Sequence, residues 1–361
     1  MILGSSARAG LLIASLFVTA GTAAAETAGA ETRTPSTVTA DAPPHAAVTV
    51  DHHAHVHSPA ILDFLPKYCG SEGRIGPCPE VFTRAYSPED LIAEMDAAGI
   101  ARSLIMSTGY LAESPMMQPP LPEAPKILRA ANEWSAALAT RYPGRFGVYI
   151  GINPVSSSAL PEMAHFARDS RVTGIKIHIT NSDANLRDPQ NVAKLASVFE
   201  MAHRTGLAVM IHMRTRAEDY GARDVETFVR DVLPQAGDTP VQIAHAAGWG
   251  GIDAPTLSAL GAFAEAIEVD RDRFVNVTFD LAAVWDEETA AEDLEALAAL
   301  IRRIGPEHFV AASDFPFGGH LADYYAKVYP RLPLTDAEWT TIRTNTPGYD
   351  SVDYAKERIR P

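Results

Sequence analysis

Eight short apolar segments alternate with amphipathic segments along most of the chain, and this pattern most constrains how the chain can fold. The apolar segments are rich in β-branched residues, as is typical of parallel strands buried on both faces. The predicted strands span residues 47–57, 101–107, 147–154, 172–180, 208–213, 241–247, 274–281 and 309–315. Eight strand–helix units predict a (β/α)8 TIM barrel. A doubly wound open sheet is the alternative, but nothing in that fold would limit the number of units to eight.

Helix signals lie between the predicted strands. The best defined helix is predicted over Pro88–Ala98, with Ser87 as its N-cap and Gly99 after its end. Other helices are predicted over residues 126–142, 160–167, 189–205, 224–233, 255–267 and 288–304, and a further one over 335–342. No G-x-G-x-x-G motif follows the first strand and no G-x-x-x-x-G-K-[ST] motif occurs, so the sequence gives no support for nucleotide binding.

The first 25 residues have the pattern of a secretory signal peptide. Arg8 precedes an apolar run from Leu11 to Val18, and three alanines at 23–25 provide the small residues of a cleavage site. A membrane anchor is the alternative, but the run is short for a span and no basic cluster follows it. We therefore expect a periplasmic or extracellular protein without a stable membrane anchor, a flexible leader over residues 26–46, and one barrel domain over residues 47–361.

Charge and cysteine content exclude some classes of partner and some kinds of metal site. The chain has 45 acidic and 30 basic side chains, a net charge of −15, so a nucleic acid is not expected as a partner. Two cysteines are too few for a disulfide-rich scaffold or a cysteine-ligated metal cluster. Cys69 and Cys78 flank a loop containing glycine and proline, and in an oxidising compartment we predict a disulfide between them rather than two free thiols.

Histidine and aspartate side chains gather at the C-terminal ends of the predicted strands, where TIM barrels carry their reacting groups. His212 ends the fifth strand, His245 the sixth and Asp314 the eighth, and the first strand ends in the run 51–55, which reads DHHAH. Such a cluster predicts a metal site with an open coordination position, which is a catalytic arrangement. Imidazole ligands with one carboxylate suit zinc best, with iron, cobalt and manganese as alternatives.

The two-residue period of a strand predicts where the side chains of the first strand point. Asp51, His53 and His55 share one face and should point into the barrel mouth. His52 has the opposite parity and should face outward. His57 has the same parity as His53 but should lie beyond the rim, behind the metal ligands.

Five segments resemble the amidohydrolase superfamily, and within it the amidohydrolase-related branch of metal-dependent TIM-barrel enzymes. They are residues 50–55 (VDHHAH), 174–178 (GIKIH), 211–212 (IH), 244–248 (AHAAG) and 312–316 (ASDFP), and the resemblance spans about residues 47–347. It implies four metal ligands, His53, His55, His212 and Asp314, for the divalent ion that is expected to be Zn²⁺. It also implies that His245 contacts the metal-bound water or the substrate.

Lys176 and His178 share a face of the fourth predicted strand, so both are expected to reach the barrel interior. The resemblance leaves two roles open for Lys176, a carboxylated lysine that bridges two metals or a lysine paired with a carboxylate beside one metal. We expect a single metal. His178 is expected to contact the substrate.

Two reaction classes fit this predicted site. A metal-activated water can attack an ester, lactone or amide, with Asp314 moving the proton. The same branch also contains non-oxidative decarboxylases of the aminocarboxymuconate-semialdehyde decarboxylase type. The expected export favours the hydrolase, with the decarboxylase as the alternative and a catalytically silent metal-binding barrel as the third hypothesis.

Loop residues give hints about the substrate. Arg214 and Arg216 follow the fifth strand, and their guanidinium groups suit a carboxylate-bearing small molecule. Salt bridges to acidic residues of the same segment, Glu218, Asp219 or Asp224, explain the two arginines equally well. Aromatic residues in or near strand-end loops are candidates for an apolar pocket or for ordinary packing, namely Tyr110, Tyr220, Trp249, Trp285 and Phe317. A homo-oligomer is compatible with the sequence.

Overall fold

Eight parallel strands form one sheet in chain order, each hydrogen-bonded to the next. The computed structural model describes residues 47–74 and 76–359, so the predicted signal peptide and leader lie outside the described residues. The strands are β1 (Val50–Ala54), β2 (Arg102–Met106), β3 (Phe146–Ile152), β4 (Gly174–His178), β5 (Ala208–His212), β6 (Val241–Ile243), β7 (Val277–Asp280) and β8 (Phe309–Val310). All eight strand predictions are confirmed, and the fold is the predicted (β/α)8 barrel.

Backbone hydrogen bonds between β1 and the segment after β8 close the sheet into a barrel. The amide of His55 donates to the carbonyl of Phe315 over 2.7 Å, and the amide of Asp314 donates to the carbonyl of His53 over 2.8 Å. Closure removes the exposed edges that an open sheet would have. It also makes residues some 260 positions apart in the chain into neighbours at one rim.

Helices follow the strands and cover the outside of the barrel. They are α1 (Pro59–Cys69), α2 (Glu80–Thr83), α3 (Pro88–Ala98), α4 (Ala124–Arg141), α5 (Ala159–Phe166), α6 (Ile179–Ser182), α7 (Pro189–Thr205), α8 (Ala222–Thr227), α9 (Ala254–Val269), α10 (Ala291–Ile304), α11 (Leu321–Asp323), α12 (Asp336–Thr344) and α13 (Tyr354–Glu357). The prediction for α3 is confirmed to the residue, because Ser87 and Asp90 form a capping box and Gly99 ends the helix in the left-handed conformation.

The segment between β1 and β2 forms a small second core beside the barrel mouth. Helix α1, which the sequence analysis did not predict, packs against the turn that follows β2, and the shared apolar cluster includes Ile61, Phe64, Tyr68, Tyr110 and Leu111. The predicted disulfide between Cys69 and Cys78 is present at the end of α1. It closes a short loop that lies next to the cavity described below.

A register shift in β1 overturns the prediction for His52. The pairing of β1 with β2 is irregular between Asp51 and Ala54, so the two-residue alternation fails there. The ring of His52 is buried, bonds the carboxylate of Asp350 over 3.2 Å and lies edge-on to Tyr349, inside the barrel rather than outside. The prediction that Asp51 points into the mouth is also wrong, because its carboxylate does not line the cavity there and accepts hydrogen bonds from the Ser313 amide and hydroxyl.

Residues after α12 fill the floor of the barrel. The hydroxyl of Tyr349 donates to the side-chain carbonyl of Gln242 over 3.0 Å and also hydrogen-bonds Thr278. The predicted C-terminal helix is confirmed as α12, but the residues that close the floor come after it. No helix in the described part of the chain is both long enough and apolar enough to cross a membrane.

Candidate active site

The predicted site residues meet at one rim of the barrel, because the C-terminal ends of all parallel strands face the same side. His53 and His55 lie at the end of β1, Lys176 and His178 on β4, and His212 on β5. His245 and Asp314 follow β6 and β8. Apart from the partly exposed His178 and Asp314, these side chains are buried.

His53 and His55 are each oriented by a hydrogen bond from Nδ1 to an oxygen atom. Nδ1 of His53 lies 3.1 Å from a carboxylate oxygen of Asp280, and Nδ1 of His55 lies 3.0 Å from the carbonyl of Met106. A carbonyl oxygen can only accept and the carboxylate is an acceptor when ionised, so each Nδ1 carries the proton and each Nε2 presents a lone pair. A carboxylate behind a ligating histidine is the usual outer partner at metal sites.

The lone pairs of these histidines converge on the Asp314 carboxylate. The Nε2 atoms of His53 and His55 are 3.1 Å apart and lie 3.4 Å and 3.2 Å from the same oxygen of Asp314. Three acceptors this close repel one another unless positive charge lies between them. The donor set of two imidazoles and one carboxylate therefore fits a divalent cation.

Asp314 is placed by a left-handed turn. Its φ of +57° is uncommon for a residue with a side chain, and its amide is fixed on the carbonyl of His53. Burial opposes ionisation of the Asp314 carboxyl, but the nearby His53 and His55 outweigh it and lower its pKa to about 2. The carboxyl group is thus ionised near neutral pH.

His245 approaches the same cluster from β6. It begins a left-handed turn with φ of +53°, and its Nδ1 donates to the carbonyl of Ala282 over 2.7 Å. The centre of its ring lies 5.0 Å from that of His53. His53, His245 and Asp280 form a second group whose ligand atoms lie within 4.8 Å of one another.

His212 stands slightly apart from the three converging ligands. Its ring stacks on that of His178 at 4.0 Å between centres, and it belongs to neither of the compact ligand groups among the described residues. Within the described part of the chain, its buried Nδ1 has no hydrogen-bond partner. His178 itself lines the cavity and accepts a hydrogen bond from the amide of Asn181.

Lys176 reaches the cluster, as its strand parity predicts. Its ammonium lies 3.1 Å from Nε2 of His53 and 2.8 Å from the sulfur of Met210. Burial lowers the pKa of Lys176 to about 8. A lysine of lowered pKa beside a cationic site can be neutral or charged near physiological pH, so both sequence-based roles remain open.

The two arginines after β5 are engaged outside the cavity. Arg214 makes a two-point ion pair with Asp253, with both distances 3.0 Å, and its guanidinium lies over the ring of Tyr220. Arg216 donates to the carbonyl of Thr180 over 3.0 Å. Neither side chain lines the cavity above the metal ligands. The structure therefore does not bring the predicted carboxylate-binding arginines to the site.

The site opens into a cavity of about 460 Å³. Five aromatic side chains form part of its wall around the histidine and aspartate cluster, namely Tyr68, Phe82, Tyr110, Trp249 and Phe317. Trp249 and Phe317 are about half exposed at the mouth. Of the other aromatic candidates, the Tyr220 hydroxyl bonds the carbonyl of Ala247 and the Trp285 indole bonds that of Val328, and neither lines this cavity.

His57 lies between the predicted metal ligands and the wall of the cavity. Its two ring nitrogens bond the hydroxyl of Thr108 and the carbonyl of Phe82, each at 2.8 Å. It therefore supports the aromatic wall behind the rim and makes no bond to the converging ligands. This agrees with its predicted place beyond the rim.

A family model described as Amidohydrolase matches residues 50–342. The chain belongs to the amidohydrolase family. None of the curated proteins matches the sequence. All five motifs on which the same resemblance was based lie inside the matched residues.

The amidohydrolase barrel is also similar to solved structures. A 5-carboxyvanillate decarboxylase from Sphingomonas paucimobilis has 17% identity and a TM-score of 0.57, over 83% of this chain and 97% of that one. An amidohydrolase from Burkholderia multivorans with bound HEPES has 16% identity and a TM-score of 0.55, over 83% and 98%. The 5-carboxyvanillate decarboxylase from Novosphingobium aromaticivorans, complexed with manganese and 4-hydroxy-3-methoxy-5-nitrobenzoic acid, has 14% identity and a TM-score of 0.53, over 83% and 94%.

Sequence reasoning missed several residues of this amidohydrolase site, among them Asp280, Arg74 and the wall residues Tyr68 and Phe82. Asp280 ends β7 and lies one residue before the end of the seventh predicted strand, and its position at the same rim as the other ligands was a signal that could have been used. Arg74 lines the cavity from the disulfide loop, and no periodicity places a loop residue there.

Proposed function

We propose that this chain is a metal-dependent, non-oxidative decarboxylase of hydroxylated aromatic carboxylic acids. The observation that carries the proposal is the cavity itself, in which aromatic side chains surround a convergent set of three acceptors. A flat aromatic acid has the shape and polarity to fill such a space, with its carboxylate towards the cation site. Two of the similar solved structures are decarboxylases of aromatic acids, and one of them binds manganese.

His53, His55 and Asp314 would hold the cation, and His212 is the fourth predicted ligand at the same rim. When bound, a divalent cation supplies the positive charge that attracts the substrate's oxygens and withdraws electrons from the reacting ring. The sequence favours zinc, whereas manganese is bound in the decarboxylase from Novosphingobium aromaticivorans. Reconstitution of metal-free protein with each ion decides which one supports turnover.

The chain's own groups must supply one proton. In decarboxylation the bond between the ring and the carboxylate breaks, carbon dioxide leaves, and the electron pair left on the ring carbon takes up a proton. Because the Asp314 carboxyl is ionised, it first accepts a proton from the ring hydroxyl of the substrate and then delivers it to that carbon. His245, whose Nδ1 is fixed on a carbonyl, presents Nε2 to orient the substrate.

Hydrolysis, which the sequence analysis favoured, is the second candidate. The ionised Asp314 beside the ligand set also suits proton transfer from an attacking water, and an amidohydrolase is among the similar structures. The two reactions differ in product, since only decarboxylation releases carbon dioxide. They also differ in substrate, since an ester, a lactone or an amide needs no carboxylate.

The deciding experiment assays metal-reconstituted protein against two panels. One contains hydroxylated benzoates such as 5-carboxyvanillate and 2,6-dihydroxybenzoate, followed by carbon dioxide release, and the other contains esters, lactones and amides, followed by acid release. We expect carbon dioxide release that requires metal and is lost in Asp314→Asn. Turnover confined to the second panel would replace the decarboxylase with the hydrolase.

We also propose that the protein is exported. The N-terminal pattern supports this, and a disulfide is stable in an oxidising compartment. Expression of the full chain, followed by cell fractionation and N-terminal sequencing, should give an exported protein that begins at Glu26. Full-length protein retained in the cytoplasm would contradict export.

A further inference from the structure

Arg74 is a cavity-lining cation without a carboxylate partner. It lies in the loop closed by the Cys69–Cys78 disulfide, with its guanidinium 4.8 Å from the centre of the Tyr68 ring. Its Nε atom is buried and has no hydrogen-bond partner among the described residues. Among the residues that the structure describes, no ion pair involves Arg74. In a chain with a large acidic excess, a cation left without an acidic partner beside the candidate active site points to an anionic ligand.

The other arginines near the barrel mouth differ in this respect. Arg214 pairs with Asp253, and Arg216 lies 3.6 Å from the carboxylate of Asp183. Both guanidinium groups are therefore neutralised by the protein itself. The charge of Arg74 faces the cavity without such a partner.

Ser71 and Gly73, which precede Arg74 in its loop, are held against the segment around Met116. The hydroxyl of Ser71 donates to the carbonyl of Met116 over 2.8 Å and accepts from the amide of Gln118 over 2.7 Å. Gly73 packs so closely that a Cβ atom there would lie 2.6 Å from the Met116 carbonyl oxygen. The disulfide ties the two ends of the loop together. The position of Arg74 therefore depends on the loop and not on its side chain alone.

The wall beneath Arg74 belongs to the substrate cavity. The Tyr68 hydroxyl donates to the side-chain oxygen of Asn181 over 3.1 Å, and both residues line the cavity. An anion bound by Arg74 would thus lie in the same cavity as the ligand set, on a wall that the segment after β1 provides. Because Arg74 lines the cavity, the terminal nitrogens of its guanidinium can make a two-point contact with a carboxylate.

We propose that Arg74 determines substrate specificity by binding a second anionic group, and that the Cys69–Cys78 disulfide positions it. The preferred substrate class is then an aromatic acid with a further carboxylate on its ring. This inference rests on the proposed function, in which the first carboxylate lies at the metal ligands. It is tested by binding rather than turnover, so its failure can be told apart from the absence of decarboxylation.

The first experiment measures binding to metal-loaded protein by calorimetry. The probes are benzoate and the three benzenedicarboxylates, which lack the ring hydroxyl that the proton transfer requires. We expect at least one dicarboxylate to bind tenfold or more tightly than benzoate, and Arg74→Gln to remove this advantage while changing benzoate binding less than threefold. The matched control is Arg84→Gln, which removes an arginine stacked over Tyr86 that does not line this cavity. An equal loss for benzoate and dicarboxylates would overturn the specificity role.

The second experiment tests the disulfide. A phosphine reductant gives two electrons to the S–S bond, two protons from water form the two thiols, and the phosphine becomes its oxide. We expect the reduced protein and the Cys69→Ser/Cys78→Ser variant to lose the dicarboxylate preference and to keep benzoate binding and metal content. The double variant should not respond to the phosphine. If reduction leaves the preference intact, the disulfide does not position Arg74.

A third variant keeps both the disulfide and Arg74. Gly73→Ala places a methyl group against the Met116 carbonyl and must displace the loop. We expect it to weaken dicarboxylate binding severalfold, with a melting temperature near that of the wild type. Unchanged dicarboxylate binding in a folded Gly73→Ala protein would show that the position of the loop does not matter.

Discussion

The carboxylate of Asp280 holds His53 in one orientation. Its Oδ2 lies 3.1 Å from Nδ1 of His53 and accepts from the side-chain amide of Gln242 over 2.7 Å. Its Oδ1 accepts from the backbone amides of His245 and Ala282. One buried carboxylate thus connects β1, β6 and β7 at the rim. It fixes the proton of His53 on Nδ1 and turns the lone pair of Nε2 towards the other ligands.

Asp280→Asn should weaken metal binding by about 10–100-fold, the range typical for loss of an outer partner of a ligating histidine. An amide has only one acceptor oxygen, so it cannot accept on both sides as Asp280 does. Competition with a chelator measures the affinity. The matched control is Asp253→Asn, which alters a rim ion pair outside the cavity and should leave the metal affinity unchanged. Equal metal affinity in Asp280→Asn and wild type would contradict the orienting role.

Asp314→Asn should retain much of the metal but lose turnover by about 10²–10⁴-fold, as expected when a group that transfers a proton is removed. His53→Asn and His212→Asn should instead lower metal content, and His245→Asn should lower turnover with less effect on metal. Metal stoichiometry measured beside kcat for the four variants separates these outcomes. Near-normal turnover by fully metallated Asp314→Asn would exclude the proposed proton path.

Arg214→Lys should leave the affinity for acidic substrates unchanged, because the wild-type guanidinium is committed to Asp253. The expected cost is a small loss of stability, about 1 kcal/mol or less for a partly exposed ion pair. Steady-state kinetics and thermal denaturation measure the two effects. A rise in KM for acidic but not for neutral substrates would restore Arg214 as a substrate-binding residue.

Opening the disulfide should loosen the segment around α1 more than the barrel. Closing a loop of about ten residues stabilises a protein by roughly 2.5–3 kcal/mol in the chain-entropy estimate. Intact-mass analysis should show the two-hydrogen loss of the oxidised form and no free thiol. After reduction, hydrogen exchange should rise in α1 and α2 and stay unchanged in the central strands. Uniformly faster exchange would mean that the second core and the barrel unfold together.

Glu338 should make the free energy of unfolding decrease at low pH. A hydrogen bond from Arg302 and bonds from Thr335 lower the pKa of the Glu338 carboxyl to about 2. Because this pKa is below the ordinary value, the stabilisation is complete above about pH 4.5 and is lost as the pH falls towards 2. Glu338→Gln should therefore be less stable by about 1 kcal/mol at pH 7, with a difference that narrows below pH 4. Denaturant unfolding of the wild type and Glu338→Gln at pH 7, 4 and 3 measures this difference in stability. The control is Glu307→Gln, which removes an exposed ion pair.

The sequence by itself determined the barrel and most of the rim. The hydrophobic periods of strands and helices are local properties of the sequence, so eight strand–helix units could be counted. The residues that cap α3 could be identified because they lie next to the helix in the chain. His53, His55, His245 and Asp314 could be placed together because parallel strands all end on the same side of a barrel.

Tertiary structure decided which atoms meet. The irregular register of β1 turned His52 inward, and alternation along a single strand cannot reveal where pairing with the next strand slips. Asp280 became the partner of His53, 227 residues away, only when the barrel closed. Arg214 forms an ion pair with Asp253 and does not line the cavity. Arg74 lines the cavity from a loop that is held by a disulfide and by contacts with Met116. These contacts join residues far apart in the chain, and their geometry is fixed by packing that no local pattern encodes.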